Sequence, residues 1–293
     1  MSQPASTVHG AEWSGAEPSG GSLEHGWYLY AVTRRTDPVG ETPRVRSSLP
    51  GTAPVEYVEV GPVRAFVQRV PVQELDREHL ESLLGQPGEL EELVRSHNAV
   101  VAAAHQEGPV LPAKFGSVYA RLEDLRTVLE ADGDALASRL EALAGADEWA
   151  LHVYADAESL ERYAATYDPE FRQVRADLES AGAGRAYFLQ RKLEAGLAAA
   201  RQRAQGELAL SVHDRLAPLS QEAQVSPRVG GVGATAGESE ILRGAYLVHR
   251  TQVDSFLLEV EELSKRYEGL RGEYTGPWPP YSFASMEGAT LSE

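Results

Sequence analysis

The order of predicted elements in the second half of the chain constrains its fold more than any other feature. Trp149, Leu151 and Val153 alternate with less apolar neighbours, which is typical of a strand. A long helix with its apolar stripe over 186–216 is predicted after this strand, followed by strands over 222–226 and 243–250. The last predicted elements are a helix over 253–267, which begins with a capping box at 251–254, and a strand over 270–275. The order β-α-β-β-α-β predicts a ferredoxin-like domain.

The first half of the chain predicts another α+β domain. Trp27–Val32 is a continuous aromatic and β-branched run, typical of a strand buried on both faces. Strands over 55–60 and 63–70 are separated by Gly61-Pro62 and predict a hairpin. The remaining elements are predicted helices over 90–104, 122–129 and 134–143, with an apolar, irregular segment at 110–119. The predicted organisation is a disordered tail at 1–25, an N-terminal α+β domain at 26–146, the ferredoxin-like domain at 147–275, and a C-terminal tail at 276–293 that packs back on the protein.

Charge and cysteine content exclude several classes of function. The 293 residues include 44 acidic and 27 basic side chains, a net charge of −17, and this negative field repels phosphate backbones and anionic lipids. The chain has no cysteine, which removes disulfides, thiolate metal sites and a cysteine nucleophile. Because the first 25 residues lack the pattern of a signal peptide and no apolar run is long enough to span a bilayer, we expect an acidic cytoplasmic protein.

The sequence motifs give no support for catalysis. Gly231-x-Gly233-x-x-Ala236 matches a loose dinucleotide fingerprint, but a helix start is missing after it, so a flexible loop is favoured. His105-x-Glu107 resembles part of a deaminase motif whose cysteines the chain lacks. His97 lies on an apolar helix stripe, where a core histidine is more frequent than a ligand or base. We therefore predict no enzyme, no cofactor and no metal site.

Two peptides do not fit an ordinary loop. In the peptide 108–117 two prolines bracket an apolar dipeptide and Phe115-Gly116 follows, a composition that predicts a stiff connector turning tightly against a core. The peptide 275–283 holds three prolines and three aromatic residues, which predicts an extended, rigid ribbon whose rings must be buried. The surface that buries them is either the chain's own other domain, which we favour, or another protein.

These peptides resemble the hallmark segments of the gas vesicle protein F/L family. GPVLPAKFGSVY at 108–119 and TGPWPPYSF at 275–283 carry the resemblance, and WYLYAV at 27–32 is similar to the family's first strand. The helix of His97 resembles the segment that leads into the family's LP-x-[RK]-FG motif. Tyr187, with Arg191 and Lys192, resembles the stretch that opens the family's long helix. The resemblance covers about residues 26–285. Members commonly have arginine where this chain has Lys114, which keeps the charge but not the planar fork.

The resemblance implies a function and an interaction motif. Family members are accessory proteins of gas vesicles, have two α+β domains, the second a modified ferredoxin fold, and carry no known enzymatic activity or cofactor. The resemblance therefore implies two kinds of partner during nucleation, the small hydrophobic shell protein GvpA and other accessory proteins. It also implies a location in the cytoplasm and at the gas vesicle. The residues that the resemblance marks for interaction are Leu111, Pro112, Lys114, Phe115, Gly116, Gly276, Pro277, Trp278, Pro279, Pro280, Tyr281 and Phe283, with His97 and Tyr187 as secondary candidates.

Physical reasoning predicts a surface on this protein that binds the shell subunit, and it leaves other classes of function open. A soluble acidic partner with an apolar patch could hold an insoluble shell subunit, and its acidic rim would keep complexes dispersed. We expect that patch on an α/β face near the 108–119 connector. One alternative is a small-ligand-binding regulator or an enzyme that uses His97, Lys114 and carboxylate pairs in a cleft. Another, an RNA-recognition module, lacks the required K/R-G-F/Y pattern and has the wrong charge.

Overall fold

The computed structural model of the protein describes residues 25–45, 47, 49, 53–71, 87–226 and 237–284. The tail predicted as disordered, apart from His25, and the glycine-containing motif at 231–236 lie outside these residues. The chain divides into two compact units. Unit 1 runs to Asp147 and also includes the chain from Trp278 onward, whereas unit 2 is Glu148–Pro277. The prediction of a mixed α+β fold is confirmed.

Unit 1 is built on an antiparallel sheet with two long helices. The strands and helices are β1 (His25–Arg34), β2 (Glu56–Val60), β3 (Val63–Pro71), α1 (Pro87–Glu107), β4 (Val110–Pro112), β5 (Val118–Tyr119) and α2 (Leu122–Ala142). The strand order is β2-β3-β1-β4, and β5 also pairs with β1. The predicted hairpin is present as β2 and β3, which turn at Gly61 with φ +52°, a conformation that favours glycine.

Strand β1 is the centre of this unit because both of its edges are paired. It pairs with β3 along its length, with a register shift between Leu29 and Ala31, and on its other edge with β4 and β5. Its residues Tyr28–Thr33 are almost all fully buried, as its continuous apolar sequence predicts. Tyr28 and Tyr30 belong to a core cluster with Val100, Val101 and other residues of α1.

Two predictions for unit 1 are wrong in detail. The segment 110–119 is not merely an irregular connector, since it contributes β4 and β5 to the sheet edge. The helices predicted over 122–129 and 134–143 form one helix, α2. Gly133, which lies between the two predicted helices, is inside α2 and is buried against Pro62, where a Cβ atom would come within 3.2 Å of the proline ring. This glycine therefore permits close packing and does not end the helix.

Unit 2 contains a four-stranded sheet and four helices among the residues that the structure describes. Its elements are β6 (Ala146–Asp156), α3 (Ala157–Tyr167), α4 (Pro169–Glu179), α5 (Ala183–Leu216), β7 (Glu222–Ser226), β8 (Glu238–His249), α6 (Val253–Arg266) and β9 (Leu270–Trp278), with β6 starting and β9 ending in unit 1. The strand order is β7-β8-β6-β9, and β7 pairs with β8 antiparallel. The core joins the apolar face of this sheet to the C-terminal half of α5 and to α6.

The helical part of unit 2 differs from the prediction of one long helix after the first strand. Two shorter helices, α3 and α4, precede α5, and each starts at an aspartate cap. The side chain of Asp156 accepts a hydrogen bond from the Ser159 amide, and that of Asp168 accepts from the Phe171 amide, with Pro169 in the first helical turn. The capping box predicted at 251–254 is also wrong, because Gln252 occupies the N-cap of α6.

The last strand is longer and the tail is less extended than the sequence predicts. β9 continues through Gly276 and Pro277 to Trp278, at the edge of the sheet. Beyond it the backbone turns, because the Tyr281 amide donates to the Pro279 carbonyl and the Phe283 amide donates to the Pro280 carbonyl. The tail is therefore a strand end followed by a tight turn.

Candidate functional site

The two family peptides meet at an aromatic cluster in unit 1, made by Tyr28, Tyr30, His97 and Phe115. Tyr28 and Tyr30 are two residues apart on β1, so both rings point to the same face of the sheet, and their centroids are 4.8 Å apart. The α1 helix places the His97 ring against both tyrosines, with centroid distances of 5.7 and 5.6 Å. All three side chains are fully buried, so the centre of the cluster is inaccessible to solvent.

His97 is held by a hydrogen bond across the cluster. Its Nδ1 lies 2.8 Å from the Tyr28 hydroxyl, while its Nε2 is buried without a partner of normal hydrogen-bond geometry. Burial lowers the pKa of His97 to about 4, an effect that the Ala113 backbone partly opposes. The ring is therefore neutral at pH 7. The neutral ring carries one proton, so Nδ1 accepts from the Tyr28 hydroxyl in the tautomer protonated at Nε2 and donates to it in the other.

The connector encloses the cluster from the sheet edge. Phe115 packs edge-on against Tyr28 and His97, at 6.4 and 5.9 Å between centroids. Gly116, with φ +87°, turns the backbone so that its amide donates to the Tyr28 hydroxyl at 3.2 Å. Burial raises the pKa of the Tyr28 phenol, and the neighbouring Tyr30 and Tyr281 raise it further, against the lowering effect of the Gly116 amide. Tyr28 is therefore a neutral hydroxyl that accepts from the Gly116 amide.

Pairing with β1 fixes the position of the connector. Leu111 lies opposite Val32 and is buried, and Pro112 lies opposite Ala31. The Lys114 carbonyl accepts from both the amide and the hydroxyl of Ser117, which closes the turn between β4 and β5. The side chain of Lys114 is left exposed at this turn. A basic group therefore stands at the surface directly beside the buried aromatic cluster.

Tyr30 connects the cluster to a polar network in the same core. Its hydroxyl donates to Gln68 Oε1 and lies 2.7 Å from the Ser47 hydroxyl. The Gln68 amide in turn donates to the Ala53 carbonyl at 2.9 Å, and the Ser96 hydroxyl donates to Ser47 at 3.2 Å. Burial raises the pKa of Tyr30 as well, with Ser47 lowering it in part. The network thus gives hydrogen-bond partners to the hydroxyl of a buried tyrosine. The sequence alone indicates only that this position of β1 is apolar.

The tail peptide is anchored on the helices of unit 1. Phe283 is fully buried, and its carbonyl accepts from Nε and Nη2 of Arg139 on α2, at 3.1 and 2.7 Å. The Tyr281 hydroxyl donates to Asn98 Oδ1 at 2.7 Å, one residue after His97 on α1. Pro279 and Pro280, which directly precede these two anchors along the chain, are buried. The tail therefore lies beside the same helix that carries the histidine of the cluster.

Trp278 departs from the expectation that the tail's rings are buried. It is 49% exposed, and Tyr281 is also partly exposed, although both make contacts within the molecule. A tryptophan that is only half-covered leaves a large apolar area at the surface. The tail thus has a buried anchor, Phe283, and an exposed aromatic surface, Trp278 with Tyr281.

The remaining candidate residues, Gly276, Pro277 and Tyr187, belong to unit 2. Gly276 has φ +150°, and a Cβ atom there would come within 2.9 Å of the Glu148 carbonyl and of the Trp149 ring, so glycine is required by packing and backbone. Pro277 follows it through a cis peptide bond. Tyr187 is in the second turn of α5 and is 60% exposed. The backbone conformation and packing thus explain why position 276 is glycine, whereas Tyr187 is a surface residue.

The sequence interpretation missed Tyr28, Tyr30, Asn98 and Arg139. Their partners are 17 to 183 residues away along the chain, so no local spacing reveals the contacts. A second buried polar pair was also missed: His105 Nε2 lies 2.8 Å from Asp147 Oδ1 and joins the end of α1 to the start of β6. Two tyrosines in an otherwise apolar strand were the available signal, because a buried hydroxyl needs a partner.

Over the described residues, no group of three or more His, Cys, Asp or Glu side chains is placed to hold a metal ion. In the same part of the chain, no helix has the length and apolar character needed to cross a bilayer.

The fold and the site together define a class of protein: an α+β chain with two antiparallel sheets, in which a proline-aromatic C-terminal peptide and a Pro-Ala-Lys-Phe-Gly connector lie beside one helix. The profile of one family, Gas vesicle synthesis protein GvpL/GvpF, matches residues 26–285. The chain belongs to this family of gas vesicle accessory proteins.

Individual relatives agree with this assignment. Gas vesicle protein L of a Streptomyces strain is 31% identical over 266 residues, covering 88% of this chain and 92% of the relative. Gas vesicle protein L1 of Halobacterium salinarum is 24% identical over 267 residues, covering 90% and 92%. The crystal structure of GvpF from Anabaena is similar in fold, with a TM-score of 0.61, 20% sequence identity, and coverage of 89% of this chain and 99% of that one. The match therefore extends over both units.

Proposed function

We propose that this gas vesicle accessory protein binds the hydrophobic shell protein GvpA, alone or together with other accessory proteins, during nucleation of the vesicle. The observation that carries the proposal is the convergence of both family peptides on α1. Phe115 packs on His97, and Tyr281 bonds Asn98, the next residue of that helix. The two peptides thereby form one surface in unit 1, near the connector.

The composition of that surface fits a contact with an apolar subunit. Trp278 and Tyr281 provide exposed aromatic area, and the exposed side chain of Lys114 adds a charge at the connector. Aromatic side chains dominate the energetics of protein interfaces because they bury large areas at low entropic cost. The charge of −17 on the whole chain would hold a bound apolar subunit in solution and keep complexes apart.

The organisation of the chain is part of the same proposal. We take unit 2 as a modified ferredoxin-like domain, on the support of its strand order β7-β8-β6-β9 and of its element order, in which three helices, α3 to α5, take the place of the first helix of a β-α-β-β-α-β domain. Residues 278–284 follow this domain along the chain and belong to unit 1, where Arg139 holds the Phe283 carbonyl. In the cell we place the protein in the cytoplasm and at the growing vesicle.

Co-precipitation of GvpA by variants of the exposed surface tests the proposal. Trp278→Ala removes exposed aromatic area without touching the buried cluster, so we expect at least a tenfold loss of captured GvpA from a folded protein. Tyr57→Ala is the matched control, because Tyr57 is an exposed aromatic residue of β2 in the same unit.

Phe115→Ala serves as a second variant, with near-ultraviolet circular dichroism to show that the aromatic cluster persists. Undiminished capture by both Trp278→Ala and Phe115→Ala would remove this surface from GvpA binding. An equal loss of captured GvpA by the Tyr57→Ala control would show that the effect is not specific to the surface of Trp278 and Phe115.

A further inference from the structure

Helices α4 and α5 form a basic region in an otherwise acidic protein. Residues 169–203 carry seven basic and four acidic side chains, although the whole chain has a net charge of −17. Some of the basic groups are neutralised internally: Arg203 pairs with Asp168 and Glu170, and Arg201 pairs with Glu161. The local reversal of charge is therefore concentrated in the N-terminal half of α5.

Arg191 and Lys192 are adjacent basic residues without such compensation; Arg172, which donates to the Thr166 carbonyl, is a third. Among the residues that the structure describes, no carboxylate lies within ion-pair distance of either side chain, and both are exposed. Two adjacent uncompensated cations on one helix attract anionic groups from outside the molecule. The positive charges of Arg191 and Lys192 are thus available to a carboxylate of another molecule.

A cleft lies between the two helices next to these cations. We call it the α4–α5 cleft; its volume is about 300 Å³, and it is lined by Phe171, Val174, Lys192, Leu193, Gly196 and Ala199 together with the ion pair of Glu170 and Arg203. Phe171 and Val174 form a buried apolar floor, while Gly196 and Ala199 keep the wall on the α5 side low. The cleft can therefore receive apolar side chains of moderate size.

Gly196 is unexplained by packing within the chain. A Cβ atom at this position would meet nothing within 4 Å, and a glycine in a helix interior is less stable than alanine. The absence of a side chain leaves the helix backbone open to close approach at the bottom of the cleft. Gly184 and Gly206 of α5 are equally open, so Gly196 shows where the cleft is accessible and does not by itself indicate a partner.

Exposed aromatic rings extend the apolar surface beyond the cleft. Phe188 is 73% exposed and lies four residues before Lys192, so the two share a helix face that continues to Gly196. Tyr187 is 60% exposed and its ring contacts that of Phe188 edge-on, at 5.8 Å between centroids. Exposed aromatic residues beside a cleft with unpaired cations have the composition of a protein interface.

We propose that the α4–α5 cleft binds an amphipathic helix of another protein, with the apolar face of that helix in the cleft and on Phe188, and its carboxylates against Arg191 and Lys192. An acidic helix is favoured over an anionic membrane because a single helix meets only the basic region, whereas an extended lipid surface also meets the strongly negative remainder of the chain. The inference goes beyond the proposed function, since it concerns other residues in the other unit.

A designed peptide tests the proposal with the full-length chain. The probe is a fluorescein-labelled helix of 18 residues with leucine on one face and glutamate on the other, and its partner probe has every glutamate replaced by lysine. We expect the acidic probe to bind with a micromolar dissociation constant by fluorescence anisotropy, and to weaken about tenfold as salt rises from 50 to 500 mM because the contact is electrostatic. The lysine probe should not bind.

Charge reversal and a matched control complete the test. The double variant Arg191→Glu/Lys192→Glu should lose at least tenfold in affinity for the acidic probe and gain affinity for the lysine probe, and Phe188→Ala should lose about tenfold. Leu258→Ala, an exposed apolar residue on α6 of the same unit, should leave binding within twofold.

Equal binding of both probes, or full binding by the double variant, would overturn the proposal. So would capture by phosphatidylserine vesicles without capture of the peptide, which would assign the surface to a membrane. The GvpA co-precipitation uses Trp278 and Phe115 in unit 1, so its failure and the failure of this proposal can be told apart.

Discussion

The hydroxyl of Tyr28 lies 2.8 Å from Nδ1 of His97, although the two residues are 69 positions apart in the chain. The same hydroxyl accepts the amide of Gly116, so one atom joins the central strand, the α1 helix and the connector of unit 1. A buried polar atom that serves three elements makes their positions interdependent, because losing it leaves donors and acceptors without water or protein partners.

Replacement of this hydroxyl should destabilise unit 1. Tyr28→Phe keeps the ring but removes the partner of both His97 and Gly116, so we expect the free energy of unfolding to fall by about 1–3 kcal/mol. Urea unfolding followed by circular dichroism measures the change. Tyr57→Phe, which alters an exposed tyrosine of the same unit, should change stability by less than about 0.5 kcal/mol. A Tyr28→Phe protein as stable as the parent would contradict the role given to the hydroxyl.

The lowered pKa of His97 predicts a dependence of stability on pH. The unfolded histidine binds a proton near pH 6.5, whereas the folded one does so only near pH 4, so the unfolded state holds more protons between these values. Stability is therefore full above pH 6.5 and is lost as the pH falls toward 4, by about 3 kcal/mol from this residue. His97→Asn, which cannot titrate in this range, should flatten the plot of unfolding free energy against pH. Parallel plots for the two proteins would contradict the prediction.

Gly276 should tolerate no side chain. Its φ of +150° and the 2.9 Å approach to the Glu148 carbonyl make Gly276→Ala strained both in its backbone and in its packing, with an expected loss of about 1–3 kcal/mol. Gly182→Ala is the control, because that glycine of unit 2 has open space around it. Thermal unfolding of the two variants gives the comparison, and equal melting temperatures would contradict the prediction.

Arg139 should hold the tail on unit 1. Two of its guanidinium nitrogens donate to the Phe283 carbonyl, so Arg139→Ala should raise amide hydrogen exchange at residues 281–284 about tenfold, which corresponds to a loss of about 1.4 kcal/mol. Arg126→Ala, on the same helix with its partner Glu123 exposed, should leave exchange in the tail unchanged. An unchanged tail in Arg139→Ala would show that Phe283 is anchored by burial alone.

The strands of this protein are predictable from sequence where periodicity is strong. The run Trp27–Val32 and the hairpin around Gly61 have clear apolar and turn signals, and both appear as expected in the structure. By contrast, β4 and β5 pair only with β1, and a two-residue or three-residue strand interrupted by Pro112 and Gly116 has no alternation to detect. Their existence depends on a non-local edge that the local sequence does not encode.

The helices and the candidate site, like the short strands, are predictable from sequence only where the signal is local. The caps Asp156 and Asp168 were readable signals for α3 and α4, whereas the continuity of α2 through Gly133 depends on the approach of Pro62 from another element. The peptides of the candidate site stand out by composition, but their placement on α1 is tertiary. The exposure of Trp278 was mispredicted because composition indicates that a ring needs contact without indicating how much of it is covered.

Size-exclusion chromatography with light scattering on the chain co-expressed with GvpA tests the proposed function most directly. We predict a soluble complex that contains both proteins at a fixed ratio, with a mass above that of the 31.8 kDa chain. Elution of the folded chain alone at that mass, with all GvpA in the insoluble fraction, would contradict direct binding of the shell protein.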